Sequence, residues 1–325
     1  MIICVSLNPA LDRRLRLGRL RLGEIHRAST SAVASGGKAA HVAMAARALG
    51  EPVVWMGLIG GAAGEQCRQG LTSLNIETVV VHAQGTTRTN LELIEQDTGR
   101  TTEIREPGDA IRASEVDEFI QRGRELWQAA KGSCVVISGS LPPGAASDVY
   151  LRLVDEIRSA GCRALLDTSG DALSCTLASQ PDLVKPNRVE AVEALGRNLD
   201  DLEPVVSGAQ ALLDRGAGAV ALSLGSRGMV WADRESAVPL LAACPPVTGR
   251  STVGCGDAML AGIAVGMERR LRTIDIIRLA VACGTANCYA DMPAMIDPAT
   301  VARLIPAAVV RPAPTALKEV RSNVG

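Results

Sequence analysis

The 325-residue sequence predicts an α/β fold, a doubly wound and mostly parallel sheet with helices on both faces and an additional small β-sheet. Short, nearly continuous apolar runs alternate with longer helical patterns, and such runs are typical of strands buried on both faces of a parallel sheet. Two segments interrupt this alternation with the period of two that marks half-buried strands. No internal repeat is visible, so we expect one domain over residues 1–325.

Seven apolar runs predict the central sheet. These strands are Ile2–Leu7, Val53–Ile59, Cys134–Ser138, Ala164–Asp167, Leu183–Lys185, Ala219–Leu224 and Met229–Trp231. The helices predicted between them are Ala39–Leu49, Gly64–Leu74, Glu115–Ala130, Ser147–Ala160, Val189–Leu195 and Pro204–Arg215. After Val253 the pattern is helical to about Tyr289, and the weakly patterned tail beyond Pro312 is expected to fray.

The small sheet is predicted from two inserted segments of about 12–30 and 86–106. Leucine and arginine alternate in the first segment. In the second, two strand-like runs flank Asp97-Thr98-Gly99, which is a hairpin signal: Asn90–Glu95 and Arg100–Ile104. We interpret the two segments together as a lid on the α/β domain.

The first lid segment carries two stripes of different character. Its arginines are expected to form a solvated strand face: Arg14, Arg16, Arg19 and Arg21. Its leucines are too apolar to face water on a small sheet: Leu15, Leu17, Leu20 and Leu22. We therefore expect the leucine stripe to pack on the body or on a second subunit, and we predict a homodimer with contact between the two lids.

Composition and charge exclude several classes of protein. Apolar residues form 47% of the chain and charged residues 21%, which is ordinary for a globular protein. A net charge of −1 argues against a nucleic-acid-binding protein, because these proteins usually carry a basic excess. The nine cysteines contain no C-x-x-C pair and the three histidines are far apart, so we expect no zinc site.

The sequence also predicts a cytoplasmic location without membrane association. The N-terminus lacks the basic region of a signal peptide, and no apolar stretch reaches the ~18–20 residues that a membrane span needs. Cysteines such as Cys4, Cys134 and Cys162 lie in apolar runs, as expected for reduced core residues.

The strongest chemical signal is the segment Ser251-Thr252-Val253-Gly254-Cys255-Gly256-Asp257-Ala258, which precedes an apolar helix. Glycines allow a ligand to approach the backbone closely, and a helix start directs free N–H groups and a positive dipole end at an anion. Asp257 would lie beside a transferring phosphoryl group, where it can accept a proton from an attacking hydroxyl. The alternative is that Asp257 is only a charge partner of the helix N-terminus.

A second signal is Lys185-Pro186-Asn187-Arg188-Val189-Glu190, where a strand ends and a helix begins. Asn187 is a good N-cap residue, and Glu190 follows it by about one helical turn. Both side chains could face a nucleotide and its metal ion. The alternative is a capping box, in which the two residues satisfy only the helix start.

Two further signals lie near the N-terminus. Gly36-Gly37-Lys38 opens the first long helix, which suits the binding of a phosphate or a sugar. Asp12 follows the first strand, and in open α/β sheets ligands bind beyond the carboxyl ends of the strands, so it is well placed to bind hydroxyl groups. The alternatives are a plain loop-to-helix turn and a turn-forming aspartate.

Two glycine-rich loops also follow predicted strands, Ser138–Gly144 and Ser223–Gly228, with ordinary turns as the alternative. Other catalytic motifs are absent from the sequence. There is no G-x-x-x-x-G-K-[ST] loop and no G-x-S-x-G elbow. Because no G-x-G-x-x-G follows the first strand, a nicotinamide-dependent dehydrogenase is disfavoured.

Taken in order, these motifs and Thr87-Arg88 resemble the PfkB/ribokinase superfamily of carbohydrate kinases, and within it the phosphofructokinase branch. That branch includes 1-phosphofructokinase, tagatose-6-phosphate kinase and the minor bacterial 6-phosphofructokinase. The resemblance extends from Ile2 to about Tyr289. It implies a ribokinase-like body with a β-sheet lid that is often shared in a dimer, and it implies ATP and Mg²⁺ as cofactors.

The resemblance also implies roles for individual residues. Asp257 matches the catalytic base, and the anion hole matches Gly254, Cys255 and Gly256, with Cys255 where Ala or Ser is usual. The ATP side is implied at Lys185, Asn187, Ser223, Gly225, Gly228 and Thr252, and Glu190 is implied as an indirect ligand of Mg²⁺. The substrate side is implied at Asp12, Gly37, Lys38, His41, Arg88 and Ser138.

The chain departs from the family pattern G-G-K-G-x-N at two positions. Ala39 replaces a glycine, and His41 replaces an asparagine that binds sugar hydroxyls in the family. Histidine can still donate and accept hydrogen bonds, but its ring is larger. We expect His41 to change substrate choice, with an ordinary packed helix residue as the alternative.

The resemblance therefore predicts ATP-dependent phosphorylation of a phosphorylated ketohexose to the bisphosphate, with fructose 1-phosphate, fructose 6-phosphate and tagatose 6-phosphate as candidates. An arginine such as Arg88 suits the phosphate already present, because its planar fork pairs with phosphate oxygens. The alternatives are a kinase of an unphosphorylated sugar or nucleoside and a non-catalytic binding protein on the same fold. The presence of Asp257 argues against the latter.

Overall fold

The computed structural model describes residues 1–248 and 251–313. Its strands are β1 (Ile2–Ser6), β2 (Ala10–Leu17), β3 (Thr30–Gly36), β4 (Val53–Ile59), β5 (Glu77–His82), β6 (Arg88–Glu95), β7 (Thr101–Arg105), β8 (Cys134–Ser138), β9 (Arg163–Asp167), β10 (Leu183–Val184), β11 (Ala219–Ser223), β12 (Met229–Asp233), β13 (Leu240–Ala243) and β14 (Val309–Pro312). Its helices are α1 (Lys38–Ala48), α2 (Gly61–Ser73), α3 (Ala113–Ala129), α4 (Val149–Ser159), α5 (Gly170–Thr176), α6 (Arg188–Leu195), α7 (Leu202–Asp214), α8 (Cys255–Glu268), α9 (Thr273–Asn287) and α10 (Pro298–Leu304).

In the described part of the chain, ten strands form the central sheet in the order β14-β13-β12-β11-β10-β9-β8-β1-β4-β5. From β11 to β5 all neighbours pair in parallel, whereas β12, β13 and β14 add antiparallel strands at one edge. The predicted mostly parallel sheet is thus confirmed, and each of the predicted central strands is present. Their near-continuous apolar runs exist because helices cover both faces of these strands.

The two faces of the sheet carry separate hydrophobic clusters. Side chains alternate along β1, so Ile2 and Cys4 pack in the cluster that includes α1, α8 and α9. Ile3 and Val5 pack in the opposite cluster, together with the buried aromatic rings of α3. The helices on both faces that the sequence predicts are therefore confirmed.

The small sheet has four strands in the order β3-β2-β6-β7. Strand β2 pairs antiparallel with β3 and parallel with β6, and β6 forms a hairpin with β7. The first inserted segment starts at Ala10 and continues to Gly36, further in both directions than predicted. Strand β3 contains small residues without an alternation of large apolar side chains, so the sequence pattern did not reveal it.

The structure corrects both predicted stripes of this sheet. Strand β2 ends at Leu17, and Leu20 and Leu22 lie in the following loop, where Leu22 is 96% exposed. Arg14 is not solvated; it is 4% exposed and donates two hydrogen bonds to Glu92, at 2.7 and 2.9 Å. The reason is that Asp12, Arg14 and Glu92 share the face of the sheet that covers the α/β body, so the polar stripe faces inward.

Five elements of the described chain were not predicted outside the small sheet: β5, β13, β14, α5 and α10. Strands β5 and β14 form the two edges of the central sheet and β13 lies next to β14, and the partial exposure of all three breaks the continuous apolar pattern. Within the described residues, no helix is long and apolar enough to cross a membrane. The prediction for the tail beyond Pro312 falls, apart from Ala313, outside the described residues.

The topology determines where ligands can bind. Strand β1 lies between β4 and β8, so the chain runs outward from β1 in both directions. At such a switch point the loops beyond the carboxyl ends of neighbouring strands separate and leave a crevice. The small sheet begins directly after β1, so it lies over this crevice.

Candidate active site

The first turn of α8 is held in place from two sides. Its N-cap, Gly254, has a φ of 82°, and a Cβ on this residue would lie 3.0 Å from the side chain of Pro293. Buried Asn287 donates from Nδ2 to the Val253 carbonyl at 2.7 Å and accepts from the Ala294 amide on Oδ1 at 2.7 Å. The backbone before α8 therefore has little freedom.

This helix start presents N–H groups to the crevice. The amides of Gly256 and Asp257 have no acceptor among the described residues, whereas the Cys255 amide donates to the Thr252 carbonyl at 3.2 Å. The absence of a side chain on Gly256 also leaves room for the Lys185 ammonium, which lies 3.3 Å from where a Cβ would be. Free amides, the helix dipole and an ammonium group together favour an anion at this point.

Asp257 is the first member of a chain of hydrogen bonds across the crevice. Its Oδ2 contacts His41 Nδ1 at 2.8 Å, and His41 Nε2 contacts Asp12 Oδ2 at 3.0 Å. Asn90 then donates to Asp12 Oδ1 at 2.9 Å. The candidate base Asp257 and the candidate hydroxyl-binding Asp12 thus lie on opposite sides of one imidazole. The residues of this chain come from four elements that are far apart in sequence: α8, α1, β2 and β6.

The imidazole of His41 carries a proton at neutral pH. Burial alone would lower the pKa of His41, but the hydrogen bonds and charges of Asp12 and Asp257 outweigh it and raise the pKa to about 10. Burial would conversely raise the pKa of Asp12, but His41, Asn90 and the nearby Arg88 hold it below its ordinary value. His41 is therefore a buried cation and differs in charge from the asparagine of the family pattern.

A second charged group lies at the ends of β9 and β10. Asp167 is 1% exposed and pairs with Lys38 at 2.9 Å and with Lys185 at 2.9 Å. Lys38 also reaches Glu190 Oε1 at 3.0 Å. Burial opposes ionisation of Asp167, but the two ammonium groups outweigh it and lower the pKa of the carboxyl; Asp167 and Glu190 in turn raise that of Lys38.

The capping box at the start of α6 is present. Asn187 Oδ1 accepts from the Glu190 amide at 2.9 Å, and Glu190 Oε2 accepts from the Asn187 amide at 2.8 Å. Since Lys38 occupies its other oxygen, Glu190 fits a contact to Mg²⁺ only through water. No cluster of three or more metal-ligating side chains occurs in the described residues, so a magnesium ion would need phosphate oxygens as its main ligands.

The predicted nucleotide residues fall into two groups. Ser223 bridges to Asn187 at the end of β11, and Gly225 follows with a φ of 61°. Gly228 instead packs against β13, where a Cβ would lie 1.9 Å from the Ala242 carbonyl oxygen, so its position requires glycine for packing. Thr252 is exposed in the loop before α8.

Arg88 lies at the start of β6 and borders the Asp12 side of the crevice. Its guanidinium donates to the carbonyls of Asn8 and Glu106, both at 3.0 Å. Two of its five N–H donors are thus used, and its buried Nε has no partner among residues 1–248 and 251–313. The hydroxyl of Ser138, at the end of β8, is also buried without a partner. The unused N–H groups on Nη1 and Nη2 of Arg88 can donate to an anionic ligand.

Gly37 positions the second predicted helix start. It is the N-cap of α1 with a φ of 84°, and a Cβ there would lie 3.3 Å from the Ala10 amide. This close approach joins the start of α1 to the start of β2. As a result, the side chains of Lys38 and His41 both enter the crevice.

Three site residues were missed at the level of sequence: Asn90, Asp167 and Asn287. Asp167 ends a predicted strand, so the argument that identified Asp12 would also have identified Asp167. Asn90 was assigned to the small sheet but not to the site, because its pairing with Asp12 depends on the β2–β6 register. Asn287 lies inside a helical pattern and carries no local signal.

A doubly wound sheet whose crevice combines a helix N-terminus, a carboxylate beside it and several buried cations defines an α/β enzyme that binds phosphorylated ligands. The chain belongs to the pfkB family of carbohydrate kinases, and the sequence profile of this family matches residues 7–290. The predicted family is therefore confirmed, and so is the predicted enzyme class, a carbohydrate kinase.

Individual relatives agree with this assignment. The chain is 36% identical to 1-phosphofructokinase of Xanthomonas campestris pv. campestris, over 82% of this chain and 83% of the relative. It is 31% identical to ATP-dependent 6-phosphofructokinase isozyme 2 of Escherichia coli, over 88% and 91% of the two chains. The structure of Escherichia coli phosphofructokinase-2 in complex with fructose-6-phosphate is similar with a TM-score of 0.85 and 28% identity, covering 94% of this chain and 98% of that one.

Proposed function

We propose that this protein transfers the γ-phosphoryl group of ATP to a hydroxyl of a phosphorylated ketohexose and produces the bisphosphate and ADP. One observation carries the proposal: the Asp257 carboxylate lies in the same helix turn as the free amides of Gly256 and Asp257. A hydroxyl and a phosphoryl group that meet at this turn find a proton acceptor and an anion site together.

The chemistry follows from this arrangement. Asp257 accepts the proton of the substrate hydroxyl as its oxygen attacks the γ-phosphorus in line with the leaving ADP. The amides of α8 and the Lys185 ammonium stabilise the negative charge that spreads over the transferring group. Mg²⁺ bound to the ATP phosphates would be held by Glu190 through water and would neutralise part of this charge.

The substrate class is supported by the cations on the sugar side. Asp12 and Asn90 present oxygen and nitrogen atoms that suit sugar hydroxyls, and Arg88 lies beside them with unused N–H donors. A phosphate on the substrate would use these free donors, whereas an unphosphorylated sugar or nucleoside would leave them unused. The relatives named for fructose phosphates favour fructose 1-phosphate and fructose 6-phosphate.

The small sheet is proposed to serve as a lid. It begins at the site residue Asp12, and Glu92 on β6 accepts a hydrogen bond from Ser251 at 3.3 Å, which links the sheet to the loop before α8. A lid that touches both the sugar side and the anion site would close over bound substrates and exclude water, which would otherwise hydrolyse ATP.

The assembly and location are proposed to be a cytoplasmic homodimer. Apart from Arg13, the outer face of the small sheet is apolar and partly exposed, as Val33 and Ile104 show, and this supports lid-to-lid contact. All nine cysteines are free thiols, which suits a reducing compartment.

A substrate panel tests the function. ADP release should be measured with fructose 1-phosphate, fructose 6-phosphate, tagatose 6-phosphate, fructose and ribose, each with ATP and Mg²⁺. We expect kcat/KM for one phosphorylated ketohexose to exceed that for either unphosphorylated sugar by roughly tenfold or more, because a charge-assisted phosphate contact is lost without the phosphate. Equal or better turnover of fructose or ribose would contradict the proposal.

A further inference from the structure

Two thiols meet beside the anion site. Cys255 is the first residue of α8, Cys288 follows the last residue of α9, and their Sγ atoms are 3.5 Å apart. Asn287 donates to the Cys255 sulfur at 3.3 Å, so this thiol has a fixed position. Both cysteines are partly exposed, which allows a small reagent to reach them.

The pair has the properties of a reactive dithiol. A hydrogen bond from Cys255 lowers the pKa of Cys288 to about 7, and the same bond together with burial raises the pKa of Cys255. A thiolate is the nucleophilic form of cysteine, and a second thiol in contact can resolve an oxidised first one. The deeply buried Cys4, Cys67 and Cys134 lack this exposure, and burial raises the pKa of each of them.

We propose that Cys255 and Cys288 form a redox modification site, which a hydroperoxide converts to a disulfide and a dithiol reductant restores. We further infer that the disulfide lowers the rate of phosphoryl transfer. This second part depends on the proposed kinase function, whereas the modification itself does not.

The oxidation is balanced with one hydroperoxide for two thiols. The Cys288 thiolate attacks a peroxide oxygen, the O–O bond breaks, and the leaving oxygen takes up a proton; the sulfur is now a sulfenic acid. The Cys255 thiol then loses its proton as its sulfur attacks the Cys288 sulfur, the S–O bond breaks and water leaves. Two electrons pass from the two sulfurs to the peroxide, and a dithiol reverses the change by thiol–disulfide exchange.

The effect on the site follows from the distances. Forming the bond brings the two sulfurs from 3.5 Å to about 2.0 Å. Cys255 is the first residue of the helix turn that carries Gly256 and Asp257, so a backbone shift at Cys255 displaces both groups. A displacement of roughly 1 Å at reacting groups can lower an enzymatic rate by about 100-fold.

The test compares the full-length protein with two variants. Reduced protein, freed of reductant, is treated with hydrogen peroxide, and disulfides are mapped by mass spectrometry of proteolytic peptides before and after dithiothreitol. The kcat is measured on the same samples with the best sugar phosphate of the panel. Cys288→Ser cannot form the bond, and Cys175→Ser is the matched control, because it removes another partly exposed thiol remote from α8.

We expect wild type and Cys175→Ser to form the 255–288 disulfide and lose roughly tenfold or more of kcat, with recovery by dithiothreitol. Cys288→Ser should retain its kcat within about twofold under the same treatment. Absence of the 255–288 peptide link after peroxide overturns the site, and a mapped disulfide with unchanged kcat overturns the effect on turnover. Inactivity of the reduced wild type on every sugar phosphate would refute the proposed function, whereas the peptide map would still decide the modification.

Discussion

The carboxylate proposed as proton acceptor and the carboxylate proposed to bind the sugar are joined by one buried cation. His41 contacts both Asp257 and Asp12, and it is protonated because the two carboxylates raise its pKa. A neutral asparagine at this position would leave the two carboxylates without a charge between them. The substitution that looked like a change of hydrogen-bonding shape is therefore also a change of charge.

His41→Asn should change substrate choice and turnover together. We expect the ratio of kcat/KM between fructose 1-phosphate and fructose 6-phosphate to shift by about fivefold to 150-fold, since one hydrogen-bonding group is worth roughly 1–3 kcal/mol. The affinity for ATP should not change, because His41 lies on the sugar side. A variant with lower thermal stability and an unaltered ratio would assign His41 a packing role only.

The same residue predicts a pH dependence of stability. The pKa of His41 is about 10 in the folded protein, whereas its ordinary value is 6.5. Between pH 6.5 and pH 10 the folded state therefore binds more protons than the unfolded state. The stability from His41 is therefore complete below about pH 6.5 and is lost as the pH rises through 10. Urea unfolding of wild type and His41→Asn should show a difference in unfolding free energy that falls over this range by an amount on the order of a few kcal/mol. A pH-independent difference would contradict a protonated His41.

Asp257→Asn tests the catalytic base directly. We expect kcat to fall by roughly 10²–10⁴-fold, because the amide cannot accept the proton of the attacking hydroxyl, while ATP binding measured by calorimetry persists. Asp275→Asn is the matched control, since Asp275 lies in the first turn of the neighbouring helix α9 and pairs with Arg272. A decrease below about tenfold for Asp257→Asn would remove its assigned role.

Arg88→Ala should affect the sugar phosphate more than the nucleotide. We expect KM for the sugar phosphate to rise by about 10–150-fold, the equivalent of ~1.5–3 kcal/mol for a charge-assisted contact, with little change in KM for ATP. Arg88→Lys should recover only part of this loss because it lacks the planar fork. Arg105→Ala is the control, since Arg105 is exposed on β7 and pairs with Glu103. Equal increases in both KM values would place Arg88 on the nucleotide side or in a structural role.

At the scale of single elements, the proposed anion site at the start of α8 depends on one buried amide side chain, that of Asn287. Asn287 joins the backbone before α8 to the loop after α9 through two hydrogen bonds of 2.7 Å. Asn287→Ala leaves a buried carbonyl and a buried N–H unsatisfied, so we expect the free energy of unfolding to fall by about 2–6 kcal/mol and kcat to fall as the first turn loosens. Urea unfolding and steady-state kinetics measure both, with exposed Asn198→Ala as the control. Full stability and kcat in Asn287→Ala would show that Gly254 alone fixes this turn.

The elements that sequence patterns identify best are those with uniform surroundings. Strands such as Val53–Ile59 and Cys134–Ser138 are buried on both faces, so burial selects apolar side chains at every position. Strand β5 is partly exposed and β3 contains small residues, so neither carries the pattern. Local chemistry similarly revealed the starts of α1, α6 and α8, whereas the pairing of Asn90 with Asp12 arises only from the register of two distant strands.

At the scale of the whole molecule, the small sheet has two faces of opposite character. Register places Arg13, Leu91 and Ile104 on the face opposite to Asp12 and Arg14, and Val33 pairs alongside Arg13. The inner face is charged and lies over the crevice, whereas the outer face is apolar apart from the exposed Arg13, with Val33 38% and Ile104 51% exposed. A dimer through this face would therefore bury side chains of several strands and not the leucine stripe alone.

We expect the protein to form a dimer through this outer face of the small sheet. Sedimentation of wild type at micromolar concentration should show a homodimer, because a second copy covers an apolar surface that a small sheet cannot leave in water. The double variant Val33→Asp and Ile104→Asp should be monomeric and less active, since each lid would lose its support. Val238→Asp introduces the same charge at a comparably exposed apolar residue (43%) in the loop before β13, and it should remain dimeric. A wild-type monomer with full activity at micromolar concentration would show that the lid works alone and that its outer face has another purpose.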